Sequence, residues 1–134
     1  MARRETNERR IETSRRIAQP LKLTRSLSRD KIKLLCSEIA REFHPDRIVL
    51  FGSHAYGKPR LGSDVDLLVV MPFEGSPFRQ AAAILGHVVQ TVGIMPLDLL
   101  VRTGQQVRER IQMGDSFMRE IIERGLVMYE ADHA

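Results

Sequence analysis

The chain has 134 residues, 43% of them hydrophobic but only 5% aromatic and none tryptophan, enough for one domain with a core of Leu, Ile and Val. No apolar run is long enough to span a bilayer, the basic N-terminus lacks the apolar core of a secretory leader, and the single cysteine, Cys36, excludes an internal disulfide or a multi-cysteine metal site. A soluble cytoplasmic protein without membrane contact is expected. The net charge of +4 sits in the first thirty residues: nine Lys/Arg against four Asp/Glu there, twelve against thirteen in the rest.

Residues 1–27 are Arg-rich and lack apolar periodicity, and read as a flexible basic extension. Such an arm is either a solvated tail or a contact for RNA, DNA or an acidic partner. Ser28 is placed to cap a helix to about Phe43, with Ile32, Leu35, Cys36, Ile39 and Phe43 as its apolar stripe and Pro45 as its stop. Within that stripe Cys36 is a packing residue. Arg47 to Phe51 reads as a short buried strand.

After Gly52-Ser53, residues His54 to Lys58 can make one helical turn, and Gly57, Pro59 and Gly62 mark a loop. Asp64 to Met71 reads as a central strand. Pro77 opens a helix to Gln90 or Val92, with Phe78, Ala81, Ala82, Leu85, Val88 and Val89 on one face, His87 at its edge as a satisfied or surface histidine, and Gly93 at its end. Ile94 to Val101 is the expected third strand, interrupted by Asp98. Residues 105–124 are helical but broken at Gly114-Asp115-Ser116, with Val107, Ile111, Met118, Ile121 and Ile122 as the stripe. Gly125 suits a helix end, and Leu126 to Glu130 a short edge strand. The expected fold class is α/β (α+β): a small mixed sheet of about four strands with helices packed on it.

The chemistry concentrates between Ile48 and Met71. Gly52 allows a sharp turn and close backbone approach, and Ser53 offers a hydroxyl and an N–H at a helix start, a combination suited to phosphate. Asp64 and Asp66, if both on a strand, point to one face about 7 Å apart along the chain. Asp98 inside an apolar strand would be costly to bury unpaired, and three carboxylates at one end of a sheet repel each other without cations. Either a divalent metal or a neighbouring arginine, Arg60 or Arg102, can answer that repulsion. Asp-x-Asp alone is common at strand ends. The Gly-Ser turn ten residues before it makes the pattern specific.

Gly52-Ser53, ten residues, then Asp64-x-Asp66, with Asp98 on a later strand, resembles the nucleotidyltransferase superfamily that includes DNA polymerase β. The stretches GSHAYG, SDVDLLV and LDLLV are most similar to the minimal nucleotidyltransferase domains of prokaryotes; the likeness covers about residues 29–130, and the domain is expected over residues 28–134. The resemblance implies that Gly52 and Ser53 bind the nucleotide phosphates and that Asp64, Asp66 and Asp98 are catalytic and hold two Mg²⁺ ions. It also implies ATP as the substrate, with Lys58 or Arg60 as candidates to neutralise the leaving phosphates. Such domains resemble antitoxins that transfer AMP to a tyrosine of a HEPN-domain ribonuclease toxin. Neutralisation by binding alone, or transfer to RNA or a small hydroxyl compound, are the competing readings.

Overall fold

The computed structural model describes residues 27–57, 59 and 62–132. The expectations for the basic extension, and for Lys58 and Arg60, fall outside the described residues, apart from Leu27. The elements run α1 (Arg29–Phe43), β1 (Arg47–Phe51), α2 (Ser53–Tyr56), β2 (Val65–Val70), α3 (Pro77–Thr91), β3 (Leu97–Arg102), α4 (Gly104–Gln112), α5 (Ser116–Arg124) and β4 (Leu126–Glu130). None of these helices is long and apolar enough to cross a membrane.

Local signals place most boundaries. The Ser28 hydroxyl accepts from the Lys31 N–H and starts α1, which stops when His44 turns left-handed (φ 50°, ψ 54°), one residue before Pro45. Ser76 caps α3 in the same way, with Pro77 in its first turn. A reciprocal capping box between Thr103 and Gln106 starts α4. The expected break falls at Gly114 (φ +90°), after which the Asp115 carboxylate accepts from the Met118 N–H and starts α5. Hydrogen bonding to that N–H, aided by Arg110, holds the Asp115 carboxyl below its usual range.

The four strands form one mixed sheet in the order β3-β2-β1-β4. β1 runs antiparallel to β2 and β4, and β2 runs parallel to β3. Because side chains alternate, each strand serves two layers. Ile48, Leu50, Val65, Leu67, Val69 and Val101 form one buried cluster with Ile32, Leu35 and Ile39 of α1 and Ile84 and Val88 of α3. Val49, Leu68 and Val70 form another with Val107 of α4 and Met118 and Ile121 of α5. Each fully buried Leu or Ile stabilises the fold by about 1.5–3 kcal/mol relative to an exposed one. Burial pushes the Cys36 thiol up to about 12, as befits a packing residue.

Three expectations need correction. The buried face of α3 is centred on Ile84 and Val88, while Phe78 and Val89 are exposed. The segment from Ala81 to Leu85 is apolar nearly all round, so its periodicity could not choose a face. The third strand starts at Leu97, after Gly93 (φ +115°) and an exposed Ile94. The Pro96 carbonyl already bonds the Val65 N–H at 2.8 Å, so pairing begins just before the strand. The second strand starts at Val65, which leaves Asp64 in the loop before it. His87 is satisfied as expected: its Nε2 lies 2.7 Å from Glu38 Oε2, and its ring meets Phe43 edge-on.

Candidate active site

β1 ends where β2 and β3 begin, and this end of the sheet collects the residues of interest. Phe51 is paired with Asp66, and Asp66 with Asp98, so all three share the α4/α5 side of the sheet in one row. Gly52 follows directly. Its φ of +77° is a conformation that side chains rarely adopt, and a Cβ there would lie 2.2 Å from Asp66 Oδ2. The close approach expected for phosphate is thus made, in the free protein, by the Asp66 carboxylate. Beyond Gly52 the chain makes the single turn of α2, whose Ala55 and Tyr56 N–H groups both bond the Gly52 carbonyl at 2.9 Å. Ser53 is exposed at its start.

Two contacts hold that turn. Arg29 Nη2 of α1 donates to the His54 carbonyl at 2.9 Å. The His54 ring is buried, and among the described residues neither nitrogen has a hydrogen-bond partner in good geometry. Burial is the main cause holding its pKa below the usual histidine value, with Asp64 opposing. The ring therefore packs as a neutral group under the turn.

Asp66 is half-buried, and its pKa is raised to about 6 by burial first, then by the charge of Asp98, then by that of Asp64. Of the two neighbouring acids, Asp98 bears on Asp66 more strongly than Asp64 does. Asp64 lies outside the strand, so strand alternation does not place its side chain beside that of Asp66. Asp98 is exposed on the outer strand β3 rather than buried, so its cost of burial carries no argument. Among the described residues no Lys or Arg forms an ion pair with any of the three. Arg102 donates instead to the Val101 carbonyl at 2.7 Å.

Among the described residues, no three acidic, His or Cys side chains converge into a ready cage for a metal ion. Mg²⁺ does not require one, since one or two carboxylates plus substrate phosphates usually hold it. A half-buried carboxylate with adjacent acids and, among the described residues, no paired cation fits that mode of binding.

A cavity of about 410 Å³ opens over these residues, lined by Gly52, Asp66 and Asp98 together with Phe51, Tyr56, Leu100, Phe117 and Glu120. The last five were not singled out from the sequence. Phe117, Glu120 and Ile121 stand at i, i+3 and i+4 on α5, so a face beside the Met118–Ile121 stripe could have been noticed. The Phe51 and Phe117 rings meet edge-on with centroids 5.8 Å apart. Arg124 stacks its guanidinium 4.5 Å from the Tyr56 ring centroid while its Nη1 pairs with Glu120 at 3.0 Å.

Comparison with known proteins agrees with this arrangement. A solved structure of a candidate nucleotidyltransferase from Sulfolobus solfataricus superposes with a TM-score of 0.54 at 18% identity, covering 78% of this chain and 82% of that one. At that identity the likeness concerns the fold. No curated protein matches the sequence. The profile of the nucleotidyltransferase domain family matches residues 30–127, from the first turn of α1 into β4. By that match, which takes in the turn, the carboxylates and every helix and strand around them, the chain belongs to the nucleotidyltransferase domain family.

Proposed function

We propose that this protein is a Mg²⁺-dependent nucleotidyltransferase that moves AMP from ATP to a hydroxyl, and that its acceptor is a tyrosine of a cognate HEPN ribonuclease toxin. The observation that carries the transferase reading is the Asp66 carboxylate. It is packed against a left-handed Gly52 at the phosphate turn, its pKa is raised by burial and then by its acidic neighbours, and no cation among the described residues pairs with it. The antitoxin reading rests on the resemblance to minimal nucleotidyltransferases.

In this reading Gly52 and Ser53 seat the β- and γ-phosphates, and Asp64, Asp66 and Asp98 hold the metal. Bound Mg²⁺ would neutralise the phosphate oxygens and lower the pKa of the acceptor hydroxyl. The chain itself fixes the reacting groups. β1 and β2 hold the turn and Asp66 at one register, and the Asp66–Asp98 pairing sets the second carboxylate beside the first. Asp98 faces the acceptor side and orients the hydroxyl for attack in line with the departing pyrophosphate. The P–O bond to pyrophosphate breaks as the hydroxyl oxygen bonds to the α-phosphorus, and the hydroxyl proton leaves to solvent.

The test is incubation with ATP, Mg²⁺ and the purified candidate toxin, read by intact mass. The expected result is an AMP increment on the toxin, absent with Asp66→Asn. A toxin silenced equally by wild type and by an Asp66→Asn/Asp98→Asn variant, without modification, would replace catalysis with neutralisation by binding.

A further inference from the structure

We propose that His54 is a positioning residue for Asp64: with Mg²⁺ and nucleotide bound, its imidazole N–H donates to the Asp64 carbonyl and fixes the loop carboxylate beside Asp66. The inference rests on the transferase reading above and adds to it the residue that joins the phosphate turn to the metal ligands.

Asp64 is the one of the three acids that strand pairing leaves unplaced. Asp66 and Asp98 are register partners, so the sheet itself sets them side by side. Asp64 is exposed in the loop before β2, and pairing begins one residue after it, at Val65, whose N–H bonds the Pro96 carbonyl at 2.8 Å. A carboxylate that ligates a metal is itself held by hydrogen bonds around it, and a loosely held ligand binds poorly. Some group outside the sheet has to hold Asp64.

His54 is placed to do so. Its ring is only 5% exposed, and among the described residues its two nitrogens are the only buried side-chain polar atoms without a hydrogen-bond partner. Such orphans are rare in folded proteins, because a buried donor gives up its bonds to water. Arg29 Nη2 holds the His54 carbonyl at 2.9 Å and α2 packs on β1 and β2, so the ring is the fixed member of the pair. Asp64 is already its neighbour. Burial lowers the His54 pKa most, but the Asp64 main chain raises it, and by more than the Asp64 charge does. A main-chain group that favours the protonated ring is a carbonyl facing a ring nitrogen. The neutral imidazole carries one N–H, and the exposed Asp64 is free to adjust toward it when its carboxylate takes up a metal ion. Because His54 directly follows Ser53, the bond ties the seat of the phosphates to that of the metal.

Two measurements test this without any acceptor or turnover. In NMR spectra of protein labelled at histidine nitrogen, Mg²⁺–ATP should shift the His54 ring N–H signal downfield and slow its exchange with water, whereas ATP without Mg²⁺ should leave it in place. In calorimetric titrations of ATP, His54→Leu, which fills the space without a donor, should raise the Mg²⁺ concentration needed for half-saturation roughly tenfold, the order seen when a group that orients a metal ligand is lost. His54→Asn and His54→Gln carry an N–H near the places of Nδ1 and Nε2, and one of them should restore the Mg²⁺ dependence of wild type. A merely structural His54 would lower the melting temperature in His54→Leu and leave that dependence unmoved. Equal Mg²⁺ dependence in wild type and His54→Leu, or rescue by neither amide, would overturn the assignment. So would a His54 signal that Mg²⁺–ATP does not move, a result that needs no variant and stands if His54→Leu fails to fold. Mg²⁺–ATP binding that is indifferent to His54 would refute the link alone, whereas a wild type that binds no Mg²⁺–ATP would refute the transferase reading and the link with it.

Discussion

The two faces of the sheet are built from the same strands and put to opposite use. On one, α1 and α3 cover the sheet as far as β3, and Ile48, Leu50, Val65, Leu67 and Val69 are all fully buried. On the other, α4 and α5 cover Val49, Leu68 and Val70 but leave Asp66, Asp98 and Leu100 lining an open cavity. The closed face supplies rigidity and the open end holds the carboxylates. Substitutions on the first should therefore cost stability, and those on the second activity.

The largest effect is expected at the open end. Asp66→Asn should lower nucleotidyl transfer by roughly 10³-fold or more, the scale of losing several kcal/mol of charge stabilisation, as measured by single-turnover kinetics. At pH 7 without metal the same variant should be no less stable than wild type, because it removes a carboxylate that its surroundings repel. On the closed face Leu67→Ala should behave in the reverse way. Denaturant unfolding should show a loss of about 2–5 kcal/mol, with kcat per folded molecule unchanged. A large kcat defect there would break the division between the faces.

Gly52→Ala tests the junction between them. A left-handed φ and a Cβ 2.2 Å from Asp66 Oδ2 predict a loss of about 1–3 kcal/mol in unfolding experiments, with transfer falling as well because Asp66 is displaced. Asp115→Ala removes the cap of α5 and should cost about 1 kcal/mol by thermal melting, without altering the ATP KM.

The smallest effect is a pH dependence. The folded-state pKa of Asp66 is raised from 3.8 to about 6, so the fold favours its protonated form. In metal-free protein its contribution to stability is therefore fullest below the unfolded value, is lost as pH rises through the interval between the two values, and is flat above. The difference in stability between Asp66→Asn and wild type should grow across that interval, by about 1 kcal/mol after allowance for partial exposure. Comparing the two proteins cancels the opposite trend of Asp115 and Glu38, whose pKa values are lowered.

Most of the fold was legible because its boundaries are marked by residues with one physical use. Ser28, Gly93, the Gly114-Asp115 break and the apolar runs of β1 and β2 each end, begin or fill an element as expected. The face of α3 was not, since an alanine-rich helix carries little directional signal. That Gly52 and Asp66 come together was also legible, because a glycine turn and the Asp-x-Asp pair stand at fixed spacing, and the cavity joins Asp98 to them. Asp64 falls one position short of the strand the pattern predicts, and Asp98, expected inside an apolar run, is exposed. A hydropathy pattern shows an apolar run but not that its strand lies at the sheet edge. Phe117 and Glu120 reach the cavity through the α5–β1 approach, where a Cβ on Gly125 would come 2.4 Å from both Val49 Cγ1 and the Ile121 carbonyl. Such a long-range contact leaves no local mark, since the helix end already accounts for the glycine.

On this account the open end of the sheet binds a metal-chelated nucleotide through Asp66. Calorimetric titration of ATP into wild type and Asp66→Asn, each with and without Mg²⁺, tests it without any acceptor. Binding by wild type only when Mg²⁺ is present, and loss of that binding in Asp66→Asn, is the predicted result. Equal binding by both proteins, or binding indifferent to Mg²⁺, would contradict it.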